Sequence, residues 1–578
     1  MPATLWRAIP VARDTFGAEM FKLMAMFSPI AGMIMFAAIQ LMFRNLALSA
    51  AMMGVSMVAI IWSIGLLIGA GFPVHIMSSM APVFLMAIAT DSIHIFNEFY
   101  FRYREGGDKL AAIRQTMAAV SRPVRFTALA TAAGFAVLLF MNIIPVQVFG
   151  GLIAFGTVVL RLLSFSFIPA VLTFVKEDKL RKAAGGEDVT ADPLARSLGR
   201  IARVGATKPA ATLAVMPVLA AVSVWGASKI HVNNNLVAWF KADSEIRVAD
   251  TAMNQALGGT SLGYLVVTAN EDEFIKRPEA MRWLEGLQRH LEKLPAVGNT
   301  FSVADYVKRI NRVLHDDDPK FDVVPDTQDT VGQYLFLFSM SAKPADLNNV
   351  IDPAFRQANL WVQMKTWDAD AMRQVIAAAE SYQKVNPLAV KAKPAGIAYF
   401  NLVWNDEVLG DLLLGFSLAI VVVLLILALD FRSLKWALIA YVPLLLTILI
   451  IYGVVGFVGK DFDMPLSVMS TLSLGMAVDF AIHFVSRFRQ HRAEVGAGET
   501  AIESLVWTAA RPGKGIMRNA VLFAAAFSVM MAAPLTPYVA VGAFIVSMML
   551  ISALLTLLLL PALIILGRRW LTDQGETK

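Results

Sequence analysis

The sequence predicts a polytopic α-helical membrane protein, with about eleven transmembrane helices in two parallel pseudo-repeats and one α/β domain outside the cytoplasm. Three observations predict this fold class. Of the 578 residues, 57% are hydrophobic and only 16% are charged, which is far from the composition of a soluble domain. Eleven windows are apolar enough to cross a membrane, and the sequence repeats itself across its two halves.

The apolar windows are about 20 residues long, enough to cross roughly 30 Å of hydrocarbon as helices. They lie at 23–43, 47–70, 77–101, 126–144, 149–175, 211–228, 409–429, 436–458, 465–486, 516–533 and 539–566. Short connections on one side are rich in Lys and Arg, and those on the other side are nearly free of them. Because positive charge in short loops stays inside, the basic loops are predicted to be cytoplasmic. The net charge of +6 therefore reports topology, and no basic patch indicates nucleic-acid binding.

The segment 229–407 is too polar for the membrane and reads as an extracytoplasmic α/β domain. Residues 261–269 (SLGYLVVTA) and 358–368 are predicted strands, and 278–294 and 368–385 are predicted amphipathic helices. Its position between two apolar windows places it on the side opposite to the basic loops.

The internal repeat has an offset of roughly 390 residues and covers spans that enter the membrane in the same direction. Arg125 corresponds to Arg518, Pro145 to Pro537, and TDSIHIF (90–96) to VDFAIHF (478–484). The repeat predicts these segments: 1–22, the end of a missing or truncated extracytoplasmic region; 23–175, a first-half bundle of five helices; 176–210, a cytoplasmic linker; 211–228, the helix opening the second half; 229–407, the extracytoplasmic domain; 408–567, a second-half bundle of five helices; and 568–578, a cytoplasmic tail.

The first half lacks a counterpart of the span 211–228 and of the domain that follows it. Two interpretations remain open. The chain is a truncated form of a longer protein, which we favour, or a partner chain supplies the missing span.

The two-fold repeat, the motif GMAVDFAIHF (475–484), the trailing SRFR (486–489) and an outer domain after the first span of a half resemble the resistance-nodulation-division (RND) superfamily. The modest outer domain is similar to that of the branch containing mycobacterial large membrane proteins, hopanoid exporters and Patched-like sterol proteins. The resemblance implies proton-driven export of hydrophobic or amphiphilic, lipid-like substrates from a bacterial inner membrane, with the outer domain in the periplasm. Midplane carboxylates would relay the protons.

Small, polar and ionisable residues recur at every fourth position of one predicted helix: Ser467, Thr471, Gly475, Asp479, His483 and Arg487. On a helix this spacing forms one stripe, which must face protein or water. A charged side chain at the bilayer centre costs at least about 2.5–3.5 kcal/mol, so Asp479 marks a functional site by default. Gly475 would let a neighbouring helix approach closely. Asp479 and His483 are therefore predicted to relay protons, although hydrogen bonding between helices is the alternative role.

The first half repeats the arrangement on one predicted face with Asp91, His94 and Glu98, beside Thr90. Asp91 and His94 complete the predicted proton relay. Glu98 approaches the cytoplasmic boundary, where an interfacial ion pair is expected. Arg161 lies near the centre of its span and is predicted either to pair with Asp91 or Glu98 or to extend along a tilted helix towards the interface. Pairing with Asp91 would hold that carboxylate ionised and leave Asp479 to exchange protons.

Enzyme and cofactor signatures are absent from the sequence. It has no cysteine, no GxxxxGK[ST] loop for ATP and no HExxH or Gly-x-Ser-x-Gly element, so we predict no cofactor, no metal site and no enzymatic activity. The expected function is secondary transport by proton antiport, with protons, membrane lipids and a lipid-like substrate as partners. The alternatives are a sterol-sensing-like receptor or assembly factor, and an inactive fragment that needs a partner chain. The sequence leaves the cargo and any homo-oligomer open.

Overall fold

The computed structural model describes residues 8–176, 192–341 and 344–572. Residues 1–7 of the predicted N-terminal segment, 177–191 of the predicted linker and 573–578 of the predicted tail lie outside the described residues. The chain divides into two compact units. One comprises Asn233–Glu407 with the N-terminal residues up to Thr15, and the other comprises Phe16–Val232 and Val408–Lys578.

Long apolar helices build the first part of the helical unit. Their bounds are α1 (Ala8–Phe43), α2 (Leu46–Gly69), α3 (Ile76–Ile88), α4 (Ile93–Gly106), α5 (Lys109–Ala136), α6 (Ile144–Phe174), α7 (Pro193–Thr207) and α8 (Pro209–Ala227). Helix α7 lies within the segment that the sequence predicts as a linker. It begins at an aspartate N-cap, Asp192, whose side chain accepts a hydrogen bond from the backbone of Leu194, so its start is fixed locally.

The mixed unit contains a four-stranded sheet covered by helices. Its elements are α9 (Glu245–Leu257), β1 (Ser261–Ala269), α10 (Pro278–Leu291), β2 (Val297–Phe301), α11 (Val303–Leu314), α12 (Gln328–Ser341), α13 (Pro344–Asn348), β3 (Gln357–Met364), α14 (Ala369–Val385) and β4 (Val390–Ala395). The strand order β2-β3-β1-β4, with every neighbouring pair antiparallel, is that of a ferredoxin-like split βαβ unit with helices inserted between β2 and β3. Burial alternates along β1, as expected when one face carries the core.

The second part of the helical unit follows. Its helices are α15 (Gly396–Phe431), α16 (Leu434–Val458), α17 (Met464–Val495), α18 (Ala501–Ala510), α19 (Pro512–Ser528), α20 (Thr536–Leu566) and α21 (Arg568–Thr572). Among the described residues, eleven helical segments are long and apolar enough to cross a membrane. Together with the small sheet, this confirms the predicted fold class of a polytopic helical membrane protein.

Local details repeat between the two parts of the helical unit. Arg44, between α1 and α2, and Arg432, between α15 and α16, both have left-handed backbones, with φ of 47° and 51°. A short 3₁₀ turn follows α5 at Val137–Phe140, and another follows α19 at Val529–Ala532. These matched irregularities indicate that the sequence repeat is also a structural repeat.

Candidate functional site

The two innermost membrane-crossing segments carry the predicted acidic residues. The apolar windows of Ile76–Arg104 and Met464–Val495 are entirely buried inside the protein, unlike those of the other nine described segments. Asp91 is 4% exposed and Asp479 is 2% exposed. Burial by surrounding helices keeps both carboxylates away from the surface that acyl chains would cover, which is the arrangement that an intramembrane charge requires.

The segment that carries Asp91 is not a regular helix. Helix α3 ends at Ile88, the residues Ala89–Ser92 form a 3₁₀ turn, and α4 continues from Ile93. The hydroxyl oxygen of Thr90 lies 2.6 Å from the backbone oxygen of Ala87, one turn earlier in the chain. Asp91 lies in this turn and His94 in the helix that follows, so the regular helix that the sequence predicts is interrupted at the acidic residue.

Asn519 on α19 joins the two carboxylates. Its side-chain nitrogen donates to Asp91 Oδ1 at 3.1 Å and to Asp479 Oδ2 at 3.0 Å. Its side-chain oxygen accepts from the Thr90 hydroxyl at 2.5 Å, which fixes the orientation of the amide. One fully buried amide therefore connects an acidic residue from each half of the repeat.

Two histidines lie on the other side of Asp479. His483 Nε2 is 3.2 Å from Asp479 Oδ1, and His94 Nε2 is 3.7 Å from Asp479 Oδ2. Both ring nitrogens are buried, and neither contact has the geometry of a formed hydrogen bond. His94, which the sequence grouped with Asp91, also lies against the carboxylate of the other half.

Arg161 on α6 pairs with Asp91. Its guanidinium Nη2 lies 3.4 Å from Asp91 Oδ2, and Arg161 as a whole is 9% exposed. The sequence left three roles open for Arg161, and in the structure Arg161 pairs with Asp91. Glu98 instead accepts from Arg102 at 2.9 Å and from Arg487 of the second half at 2.6 Å, which is the ion pair expected near the boundary.

The small residues of the stripe allow two helices to meet. A Cβ atom added at Gly134 on α5 would lie 2.9 Å from the Cα atom of Gly475 on α17. The Thr131 hydroxyl donates to the Gly475 carbonyl at 2.9 Å across the same contact. Thr471 is buried beside Gly415, and the Ser467 hydroxyl donates to its own helix at Met464.

A cavity of about 70 Å³ lies between the histidines and polar residues of the basic side. His94 and His483 line one part of it, and Glu98, Arg487 and Lys514 line another. Gly515 permits the close approach of α19 here, because a Cβ atom at this position would lie 3.1 Å from the His94 ring. The lining thus connects the histidines with Glu98 and Arg487, and it also contains apolar side chains such as Phe101 and Trp507.

His94, Asp479 and His483 each offer a potential metal-ligand atom, and these atoms lie within 4.8 Å of one another. However, the two imidazole rings stack with centroids 3.6 Å apart and planes 13° apart. Imidazole binds metals through a lone pair in the plane of the ring. Two nearly parallel rings point these lone pairs in separate planes, so one ion between them would lie far out of both planes. The arrangement suits proton exchange better than metal binding.

Comparison with known proteins decides the family. Residues 240–578, more than half of the chain, match the MMPL family. This chain belongs to the MMPL family. Residues 20–174 match the Patched SSD, a sterol-sensing domain. The resemblance to the RND superfamily and its MMPL-like branch is thereby confirmed.

This MMPL protein also resembles a curated relative. A membrane protein of Methanocaldococcus jannaschii, designated MJ1562, is 25% identical over 153 residues, which cover 26% of this chain and 39% of the relative. The chain thus spans about two fifths of the length of the curated relative that it matches.

Sequence reasoning missed Asn519 in this MMPL protein. The signal was present, because Asn519 is an amide in an otherwise apolar stretch of α19 and directly follows Arg518, which the repeat comparison used as an alignment point. Arg518 itself donates to Asn97 at 2.6 Å in the same region. A polar residue inside a membrane span is a candidate functional residue, as a charged one is. That rule would have selected Asn519.

Proposed function

We propose that this MMPL protein is an exporter of hydrophobic or amphiphilic, lipid-like substrates that is driven by the proton-motive force. The observation that carries the proposal is the amide of Asn519, which bonds at once to Asp91 and Asp479, one carboxylate from each half. Because Asn519 bonds to both carboxylates, a change in the charge of the carboxylate in one half would alter the position of the other half. Simple adhesion between helices would not need two carboxylates at equivalent places in the repeat.

The charges divide into two parts. Asp91 is balanced by Arg161, whereas Asp479 faces only Asn519 and the two histidines among the contacts described above. We therefore assign proton exchange to Asp479, His483 and His94, and we assign to Asp91 the role of a fixed negative charge. When Asp479 takes a proton, its attraction to the histidines is lost and the contact between α17, α4 and α19 loosens.

Energy for the cycle comes from the membrane field and the pH gradient. A proton that crosses the full field contributes about 2.3 kcal/mol per 100 mV. Rocking of one half against the other around a fixed site is how two-fold repeat transporters use such energy. The cavity below the histidines, lined by Glu98 and Arg487, supports proton exchange with the side that the basic loops mark as cytoplasmic.

The class of cargo and the location follow from the family resemblance. We propose a bacterial inner membrane, with the α/β unit in the periplasm and with membrane lipids and a lipid-like molecule as partners. Antiport of protons, not catalysis, is the proposed activity, and a homo-oligomer is compatible with it. A sterol-sensing-like receptor is the second candidate, because residues 20–174 match the Patched SSD.

Transport in inverted membrane vesicles tests the proposal. Vesicles that contain the wild-type protein or the variant Asp479→Asn are energised by an imposed pH gradient. Redistribution of fluorescently labelled phospholipid, triterpenoid and a lipophilic cation is then followed. We expect gradient-dependent movement of at least one probe with the wild-type protein, and none with Asp479→Asn or after addition of a protonophore.

Asp411→Asn is the matched control, because Asp411 is another buried membrane carboxylate, bonded to Asn142 and outside the acidic cluster. It should retain transport. If Asp479→Asn moves the probes as well as the wild-type protein does, the proton-coupled exporter is excluded. Equal, gradient-independent binding of the triterpenoid by both proteins would instead favour the receptor.

A further inference from the structure

A histidine and a carboxylate join the end of α17 to the connection that leads into α18. His491 Nε2 lies 3.0 Å from Glu499 Oε2, and His491 as a whole is 8% exposed. The pair lies outside the Asp479 cluster, at the end of the bundle that the basic loops mark as cytoplasmic. Histidine is the side chain that changes charge between about pH 5 and pH 8, so the attraction within such a pair depends on pH.

The carboxylate of this pair is held in position independently of the imidazole. Glu499 Oε2 also accepts a hydrogen bond from the Ser504 hydroxyl at 3.3 Å, and Arg492 donates to the Glu499 backbone carbonyl at 2.7 Å. Neither a serine nor an arginine side chain changes charge in the physiological pH range. A fixed acceptor beside a titrating ring is the arrangement that a pH-dependent contact requires.

The ring of His491 also begins a stack that crosses the two halves of the repeat. It lies on the indole of Trp507 on α18, with centroids 3.7 Å apart and planes 4° apart. The guanidinium carbon of Arg511, directly after α18, lies 5.6 Å from the Trp507 ring centre. The same carbon lies 4.8 Å from the ring centre of Phe101 on α4. The stack therefore runs from α17 through α18 to the first half.

Three members of this stack, Phe101, Trp507 and Arg511, line the cavity below the stacked histidines. The cavity of about 70 Å³ has room for a few water molecules beside His94 and His483. Because α18 supplies part of the wall, a shift of α18 away from α17 would widen the cavity and admit more water to the two rings.

Further charged side chains lie on the elements around the pair: Arg487, Arg489, Arg492 and Glu494 on α17, Glu503 on α18, Arg511 directly after it, and Arg196, Arg200 and Arg203 on α7, which packs on α18. The two carboxylates among them have other partners. Glu494 accepts from Gln490 at 3.1 Å, and Glu503 accepts from the Thr500 hydroxyl at 2.8 Å. Among the described contacts, Glu499 is therefore the carboxylate that meets the His491 ring.

We propose that His491 and Glu499 form a pH switch, which holds α18 against α17 when His491 is protonated and releases α18 when His491 is neutral. The pair stabilises the docked position of α18 only while the imidazole carries its charge. The contact therefore strengthens as the pH falls from about 8 to about 6, and it weakens as the pH rises. The consequence for transport rests on the proposed function: an acidic cytoplasm would close the cavity and slow proton exchange by the histidines.

Thiol labelling tests the switch without measuring transport, because the chain contains no cysteine and an introduced one is the sole thiol. Val120→Cys places a thiol in the cavity wall on α5, where Val120 is 5% exposed. Gln115→Cys, at an exposed position of the same helix, gives the pH dependence of the reagent itself. A membrane-impermeant methanethiosulfonate is added to the full chain in inverted vesicles, and the ratio of the two labelling rates is measured at about pH 6 and pH 8.

We expect the rate ratio of Val120→Cys to Gln115→Cys to be about fivefold higher at the higher pH, because α18 is then released. When His491→Gln or Glu499→Gln is added to both cysteine variants, the ratio should no longer change with pH, since the pair cannot gain a charge. His315→Gln is the matched control and should keep the change. The His315 ring also stacks on an aromatic ring, that of Phe321, but has no carboxylate among its described contacts.

A rate ratio that is equal at both pH values in the protein that retains His491 and Glu499 would overturn the switch. A pH dependence that survives both His491→Gln and Glu499→Gln would belong to another group and would overturn it as well. If His491→Gln elutes as an aggregate in size-exclusion chromatography, Glu499→Gln alone decides, since it keeps the stacked imidazole. Vesicles that move none of the lipid probes would contradict the proposed function and leave the labelling result unchanged.

Discussion

The imidazole rings of His94 and His483 stack face to face, with centroids 3.6 Å apart and planes 13° apart. The two rings come from opposite halves of the repeat, and each has a nitrogen within 4 Å of Asp479. Two imidazolium charges at this separation would repel strongly in a buried site. The stacked pair is therefore expected to carry at most one positive charge at a time and to act as a single unit.

Replacement of either histidine should cost transport. His94→Gln and His483→Gln should each lower gradient-driven transport at least about tenfold, since each removes a proton-exchanging group. The double variant should be no worse than the more damaging single variant, because the rings act together. The vesicle assay measures this, with His290→Gln in the α/β unit as a control. If the loss of transport in the double variant equals the product of the two single losses, the two rings do not act as one unit.

Asn519→Leu removes both bridging hydrogen bonds at nearly constant volume. Bonds to charged groups contribute about 1.5–3 kcal/mol each, so we expect the free energy of unfolding to fall by about 3–6 kcal/mol and transport to be lost. Thermal unfolding in detergent and the vesicle assay measure the two effects. Ser528→Ala on the same helix is the control, because its exposed hydroxyl bonds only its own backbone in the described contacts. Transport that survives Asn519→Leu would remove the bridge from the mechanism.

Removal of only one member of the Arg161–Asp91 ion pair is expected to destabilise the protein strongly. Arg161→Gln leaves a buried carboxylate without its cation and should destabilise the protein by about 3–5 kcal/mol. The double variant Asp91→Asn/Arg161→Gln removes both charges and should recover at least half of that loss. Arg282→Gln, which breaks an exposed pair with Asp326, should change the unfolding temperature very little. A double variant as unstable as Arg161→Gln would mean that the pairing is not what stabilises this region.

The contact of α5 with α17 depends on two glycines. Gly134→Ala places a methyl group 2.9 Å from the backbone of Gly475, closer than such atoms approach in proteins, so the helices must separate. We expect a loss of about 1–3 kcal/mol in stability and a clear decrease in transport. Gly54→Ala on α2 is the control, since nothing lies within 4 Å of its added methyl group. Equal effects of the two variants would show that helix propensity alone is responsible.

Asp192 gives a pH-dependent prediction outside the membrane-spanning segments. Burial raises the pKa of its carboxyl, but hydrogen bonds from Lys514 and the Leu194 amide together outweigh burial, and the pKa lies below its usual value. Such a group stabilises the folded state above the unfolded pKa, near pH 4, and loses this effect as the pH falls further. Asp192→Asn should lower stability by about 1–3 kcal/mol at neutral pH.

The difference in unfolding temperature between the wild-type protein and Asp192→Asn should be constant from pH 5 to 8 and should shrink below about pH 4. Asp108→Asn is the matched control, because Asp108 caps α5 without a lysine partner among its described contacts. A difference that grows in acid would mean that the sign of the pKa shift is wrong.

The candidate site was predictable in part. The spacing of Asp479 and His483 fixes them on one helix face, and their side chains do lie 3.2 Å apart. For Asp91 and His94 the spacing did not reveal that a 3₁₀ turn at Ala89–Ser92 interrupts the helix, or that His94 Nε2 lies 3.7 Å from Asp479. Arg161 was recognised as unusual, but its partner could not be chosen from the sequence. Asn519 was missed altogether.

The sequence by itself determined the membrane spans, the repeat and the place of the α/β domain along the chain, and the orientation of the spans stays a prediction. These depend on hydropathy, loop charge and periodicity, which act over one span or one turn at a time. Only the tertiary structure decided that Asn519 joins Asp91 to Asp479, that Arg161 neutralises Asp91, and that the two histidines stack across the repeat. Each of these contacts depends on how helices from distant parts of the chain rotate and pack, and helical spacing within one segment carries no information about that rotation.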